Sequence, residues 1–156
     1  MKTPRYLIIL LLVIMTGCAS RTTSDVYFTF RDNTWYRFNK LDFLVPVEKT
    51  DDLMDVVMYV RHNDDFPFRS LDFHMIMNTP SGEERIKEYH LILRDTTGKL
   101  TGTPEEKHYV STMVLKRELR FMKTGTLEIE LENLIPRMKT PGLIGIGIRL
   151  EKSSEE

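Results

Sequence analysis

Few residues in this 156-residue chain are equipped for chemistry, and spacing denies most of them a role. The four histidines are His62, His74, His90 and His108, and none belongs to a His-x-His or His-Glu-x-x-His pair. One cysteine, Cys18, leaves no second thiolate to complete a zinc site. His74 and His90 alternate with apolar residues, which turns each imidazole outward from a sheet. No Gly-x-Ser-x-Gly elbow or phosphate-cradling glycine loop occurs, and no serine has a neighbourhood that would activate it. Carboxylate pairs recur at Asp51-Asp52, Asp64-Asp65, Glu83-Glu84 and Glu105-Glu106. All four lie in turn-like contexts, where solvated surface explains them; glycoside hydrolysis needs two carboxyls converging across a cleft. The expectation is no enzymatic activity, no cofactor and no metal.

One segment concentrates polar, aromatic and turn-forming residues: Arg61-His62-Asn63-Asp64-Asp65-Phe66-Pro67-Phe68-Arg69-Ser70-Leu71. Asn63, Asp64 and Asp65 lack the alternating ligand spacing of a calcium loop. As a structural corner, Asn63 and Asp64 satisfy backbone groups while Phe66 plugs the end of the core. As a recognition surface, Arg61, His62, Asn63 and Phe68 are the candidate partner contacts, because Arg and aromatic residues dominate binding energy. A second use of the aromatics is glycan binding, with Trp35, Tyr36, Phe66 and Phe68 offering ring faces.

Cys18 has a different context. Lys2 and Arg5 precede an apolar run from Tyr6 to Met15, followed by Thr16 and Gly17 directly before the cysteine. That is an export signal with a small-residue cleavage site. The run is about half the ~20 residues of a spanning helix. Thr16-Gly17-Cys18 resembles the lipobox of bacterial lipoproteins, with Met15 in place of the usual Leu. The resemblance implies a signal peptide at 1–17, cleavage before Cys18, and acylation of its thiol and new amino terminus. Residues 18–25 read as a short polar tether. The likeness to bacterial lipoproteins, in which Asp after the cysteine marks inner-membrane retention and an acidic run marks surface export, implies from Ala19 and the lack of such a run an outer-membrane anchor facing the periplasm.

The domain at 26–152, followed by a polar tail at 153–156, suits a single core. The chain's net charge of −1 offers no concentrated basic surface for nucleic acid. Its local signal has period two. Leu127, Ile129 and Leu131 alternate with Glu128, Glu130 and Glu132, and Phe73, Met75 and Met77 alternate with Asp72, His74, Ile76 and Asn78. Val56–Val60 is apolar on both faces. Ile144, Ile146, Ile148 and Leu150 alternate with Gly145, Gly147 and Arg149, so the glycines leave room for close approach of another layer or backbone. Further strands are expected around 26–30, 41–47, 85–93 and 112–121. Turns are marked by Pro80-Ser81-Gly82, Thr97-Gly98, Thr124-Gly125 and Pro141-Gly142. About eight strands with such spacing predict an antiparallel β-sandwich, jelly-roll or immunoglobulin-like. In 105–123, Pro104 and two glutamates allow one turn or a short helix before the strand.

Taken in order, several motifs resemble the GldH family of gliding-motility lipoproteins from Bacteroidetes. They are the lipobox at Cys18, Trp35, and Arg61-His62-Asn63 leading into Phe66-Pro67-Phe68. Then come Arg94-Asp95-Thr96-Thr97-Gly98-Lys99-Leu100-Thr101-Gly102, Phe121-Met122-Lys123-Thr124-Gly125, and Pro141-Gly142 with the glycine-alternating strand. One departure is Pro136-Arg137-Met138, where a Met-Arg order is expected. The resemblance implies an anchored accessory or assembly component of envelope machinery for gliding, itself linked to type IX secretion. It supplies no catalytic residues, and its expected partner is another envelope protein.

Overall fold

The computed structural model describes residues 24–154. The signal peptide, Cys18 and most of the tether lie outside the described residues. Every strand pairing is antiparallel. Eight longer strands carry the fold: β1 (Ser24–Thr29), β3 (Leu41–Val47), β4 (Leu53–His62), β5 (Ser70–Asn78), β6 (Glu84–Ile92), β8 (His108–Arg120), β9 (Gly125–Asn133) and β11 (Leu143–Lys152). Three strands of three residues each, β2 (Thr34–Tyr36), β7 (Thr103–Glu105) and β10 (Lys139–Pro141), bring the total to eleven. Such short pieces are too brief to show a period, which is why about eight were expected. Ser24 and Asp25, read from sequence as tether, already pair in β1 with Leu150 and Arg149.

The sheets run β1-β11-β4-β8-β7 and β3-β9-β5-β6, with β2 and β10 forming a separate ribbon. Among the eight longer strands, first pairs with last, second with seventh, third with sixth and fourth with fifth. The chain is thus one long antiparallel hairpin, rolled so that successive pairs fall in alternate sheets. That is a jelly roll.

The period-two pattern becomes burial. Along β3 every second residue, Leu41, Phe43, Val45 and Val47, is buried and the residues between are exposed. In β9, Leu127, Ile129 and Leu131 are at most 1% exposed, while Glu128 points to solvent. These side chains meet Val56, Met58, Val60, Ile146 and Ile148 of the other sheet in one continuous core. Tyr89 crosses between the sheets, its hydroxyl donating to Leu115 O at 2.5 Å.

No helix forms in 105–123. β7 turns directly into the thirteen-residue β8, which pairs along β4. Alternating Val110, Thr112 and Val114 favour an extended chain, and the long partner strand decides the matter. At Glu118 the backbone turns left-handed (φ 51°) in a bulge whose N–H donates to Asp55 Oδ1 at 2.8 Å.

The register also gives the domain two poles. Ser24, Lys152 and the connections 48–52, 79–83 and 121–124 share one end. At the other end lie 30–40, 63–69, 93–107 and 134–142, all the longer connections. The chain therefore enters at the short-loop pole.

Candidate functional site at the long-loop pole

β4 continues through His62, so its alternation places Val60 and His62 inside and Arg61 outside. The corner proper begins at Asn63. Its N–H donates to Gly142 O at 2.9 Å, and its Oδ1 accepts from Asp65 N at 3.1 Å, which closes an Asx turn. Phe66 N then donates to Asn63 O at 3.1 Å. Gly142 passes so close beneath (φ +80°) that a Cβ there would strike the Phe66 backbone nitrogen. Only glycine fits the crossing.

Arg94 locks the corner to the next loop. Its Nε donates to Phe66 O at 2.7 Å, Nη2 to Asp64 O at 2.8 Å and Nη1 to Gly98 O at 2.7 Å. The guanidinium's fixed fork suits three fixed carbonyls. Gly98 belongs to a turn organised by Asp95, whose Oδ1 accepts from Thr97 N, Thr97 Oγ1 and Lys99 N. The Thr97 hydroxyl and these N–H groups hold the Asp95 carboxyl below its usual range. Three segments that carried the family resemblance, 61–68, 94–102 and 141–142, therefore meet at one pole.

The candidate contact residues divide. His62 is fully buried, which corrects its assignment to a contact surface. Ser111 Oγ donates to Thr101 O at 3.2 Å, so it accepts from His62 Nε2–H at 2.9 Å. The ring stacks on Tyr109 and meets the edge of Phe66. Burial, with a smaller repulsion from Arg94, pushes the His62 pKa down to about 4, so the imidazole is neutral. Asn63 is half-buried and occupied by the turn. Phe68 packs its ring edge-on against Phe66 at 5.7 Å and remains partly exposed. Arg61 lies half-exposed on the outer sheet face, its guanidinium 5.1 Å from the Tyr27 ring centre.

That outer face was not foreseen in full. Tyr27 and Tyr59 stack at 5.7 Å and 5°, with Arg149 over Tyr59 at 5.5 Å and Tyr59 OH donating to Asp25 at 2.7 Å. The two rings occupy the space where Cβ atoms of Gly145 and Gly147 would stand. What approaches the glycines is a pair of aromatic rings from the two neighbouring strands, not another layer. Burial, then the Asp25 hydrogen bond, raises the Tyr59 hydroxyl pKa to about 12.

Two of the four aromatics proposed for glycan binding are withdrawn from solvent. Trp35 and Phe66 are both 0% exposed, and Trp35 Nε1–H is engaged by Asn39 O at 2.7 Å. The glycan reading loses its main platform. Among the described residues, no group of three or more His, Cys, Asp or Glu is placed to hold a metal ion. Arg94 was visible in the sequence only as part of a motif; an arginine followed by an Asp-x-Thr-Gly turn was the available signal.

A jelly roll that gathers its long connections at one end, opposite the chain entry, defines a domain built to present loops from a rigid scaffold. The family model described as GldH lipoprotein matches residues 22–150. The chain belongs to that family. It is 20% identical over 153 residues to the gliding motility lipoprotein GldH of Flavobacterium johnsoniae strain UW101, covering 94% of each chain.

Proposed function

We propose that this protein is an outer-membrane-anchored lipoprotein, facing the periplasm, that serves as a non-enzymatic accessory or assembly component of gliding-motility and type IX secretion-related envelope machinery. The observation that carries the reading is the family match over nearly the whole domain, joined to the opposition of chain entry and loop-rich pole. Lipid on Cys18 would hold the short-loop pole near the bilayer. The long-loop pole would then face away, toward another envelope protein, with Phe68 of the corner and Arg61 of the adjoining sheet face as partly exposed contacts.

Two measurements test it. Cys18→Ser should leave an uncleaved precursor; a mature-sized variant that still partitions into detergent like the wild type would remove the anchor. Crosslinking in cells with a tagged full-length chain should join it to a defined envelope protein. Arg61→Ala should lower that yield while leaving the melting temperature nearly unchanged.

A further inference from the structure

The ribbon of β2 and β10 lies at the long-loop pole, and its outer side carries apolar and basic side chains. Phe38 is 75% exposed, Met138 62% and Tyr36 40%, in a protein whose other large side chains mostly face the core. Arg37 N–H donates to Met138 O at 3.2 Å, and Lys139 pairs with Tyr36, its ammonium 5.6 Å from the ring centre. Segments 30–39 and 136–141 hold four basic residues, Arg31, Arg37, Arg137 and Lys139, against the single carboxylate of Asp32. Across the whole chain acids outnumber bases, 23 to 22. Among the described residues, none of these four cations has a carboxylate within ion-pair range, whereas nearby Lys40 is engaged by Glu130 and Glu132.

Beside the ribbon an open pocket of about 490 Å³ lies between β1 and β3, lined by Phe28, Asp32, Trp35, Tyr36 and Asn39 among others. Its lining includes Asp32 (φ 54°), which with the next residue, Asn33 (φ 48°), stands outside the region non-glycine residues prefer. A rigid base supports the ribbon: Trp35 is buried, and Asn133 Nδ2 donates to Thr140 Oγ1 at 2.8 Å.

We infer that the β2–β10 ribbon and its pocket form a docking surface for an acidic segment of a protein partner, with Phe38 and Met138 as apolar anchors and Arg37, Arg137 and Lys139 as charge readers. Exposed aromatic and Arg side chains on a fixed frame are the composition of binding hot spots. Unpaired cations beside them select carboxylates and speed encounter. The chain's own membrane is a poor occupant. The ten residues of β11 separate the poles by about 33 Å at 3.3 Å per residue. A sugar is a poor occupant too, because Trp35 is covered and Lys139 already caps Tyr36.

The surface deepens the accessory role and rests on it for the existence of a partner. The test places a photo-crosslinking phenylalanine analogue at Phe38 of the full-length protein in its own cells. The expected result is an adduct with one envelope protein, mapped by mass spectrometry to a segment rich in Asp and Glu. Combining Arg37→Glu, Arg137→Glu and Lys139→Glu should cut that yield at least tenfold without moving the melting temperature. If the triple variant does not fold, Arg137→Glu alone should cut it at least threefold. The same analogue at exposed Ile86 should not give the adduct. An adduct with lipid, glycan or a second copy of this chain overturns the inference. So does a segment without acidic excess, or a yield indifferent to charge reversal. No adduct at Phe38 beside a clear one at Arg61 overturns this surface and leaves the accessory function standing. No adduct at either position counts against both.

Discussion

The two poles of the sandwich close their chain in different ways. At the entry pole, connections are at most five residues long, and 79–83 carries its own hydrogen bonds. In 79–83, Gly82 N donates to Thr79 O, Glu83 N to Thr79 Oγ1, and Thr79 N to Glu83 O, all inside one turn. Asp55 closes the nearby bulge and reaches Ser153 Oγ at 2.6 Å. Burial opposes its charge, but those hydrogen bonds and Arg117 prevail and lower its pKa. At the far pole, loops of seven to fifteen residues are held by side chains distant in sequence. Arg94 reaches back to Asp64 and Phe66, and His62 to Ser111. A turn such as 79–83 needs only local chemistry, whereas the long loops 63–69 and 93–107 are pinned to each other by Arg94.

The contrast can be broken most forcefully at Trp35. Trp35→Ala should cost about 3–5 kcal/mol in a urea melt, as large-to-small core changes do. A loss under about 1 kcal/mol would mean that the far pole is a loose cover rather than a packed end.

The next largest effect concerns pH. His62 sits at about 4 when folded against 6.5 as its ordinary value, so the unfolded state binds more protons between those values. Stability contributed by the neutral ring is complete above about pH 6.5 and is lost as pH falls toward 4. The loss is on the order of 3 kcal/mol at 1.36 kcal/mol per pKa unit. The lowered carboxyls Asp55 and Asp95 act in a more acid window, their contribution falling away mainly below their ordinary 3.8. Urea melts from pH 7.5 to 4.5 should therefore slope for the wild type and flatten for His62→Gln. Equal slopes would place the imidazole in water.

Arg94→Ala should cost about 2–3 kcal/mol, because three carbonyls lose a charged donor. It should also raise amide exchange in 63–69 and 95–99 while leaving 79–83 unchanged. Exchange that rises equally at both poles would erase the distinction between local and long-range pinning. At the small end, Glu130→Ala should stay within about 0.5 kcal/mol despite its contact with Lys40 at 2.9 Å, since exposed ion pairs contribute little. Ile129→Ala next to it should cost about 2–5 kcal/mol. Equal effects would mean that the strand faces the other way.

Much of the scaffold was legible because burial on a strand alternates with each residue. The pattern Leu127-Glu128-Ile129-Glu130-Leu131 contains its own orientation, and β3 spans the very residues 41–47 expected of it. His62 was misread for the same reason in reverse. It stands beside an obvious turn, and only the length of β4 against its partners shows that the inward face extends one residue further. Trp35 and Phe66 are aromatic in loop-like sequence, where exposure and plugging read alike until the loops are packed.

The sequence by itself determined the strand faces, the tight turns and the family likeness, because each is written in neighbouring residues or their order. Whether eight strands rolled as a jelly roll or an immunoglobulin-like sandwich was decided only in three dimensions, since both demand the same alternation and differ in which strands meet. The gathering of the long loops at one pole, the triple grip of Arg94 and the exposed ribbon at Phe38 follow from that pairing. Contacts between residues tens of positions apart leave no period in the chain. They form when folding brings the segments together, and that is where this protein's surface was made.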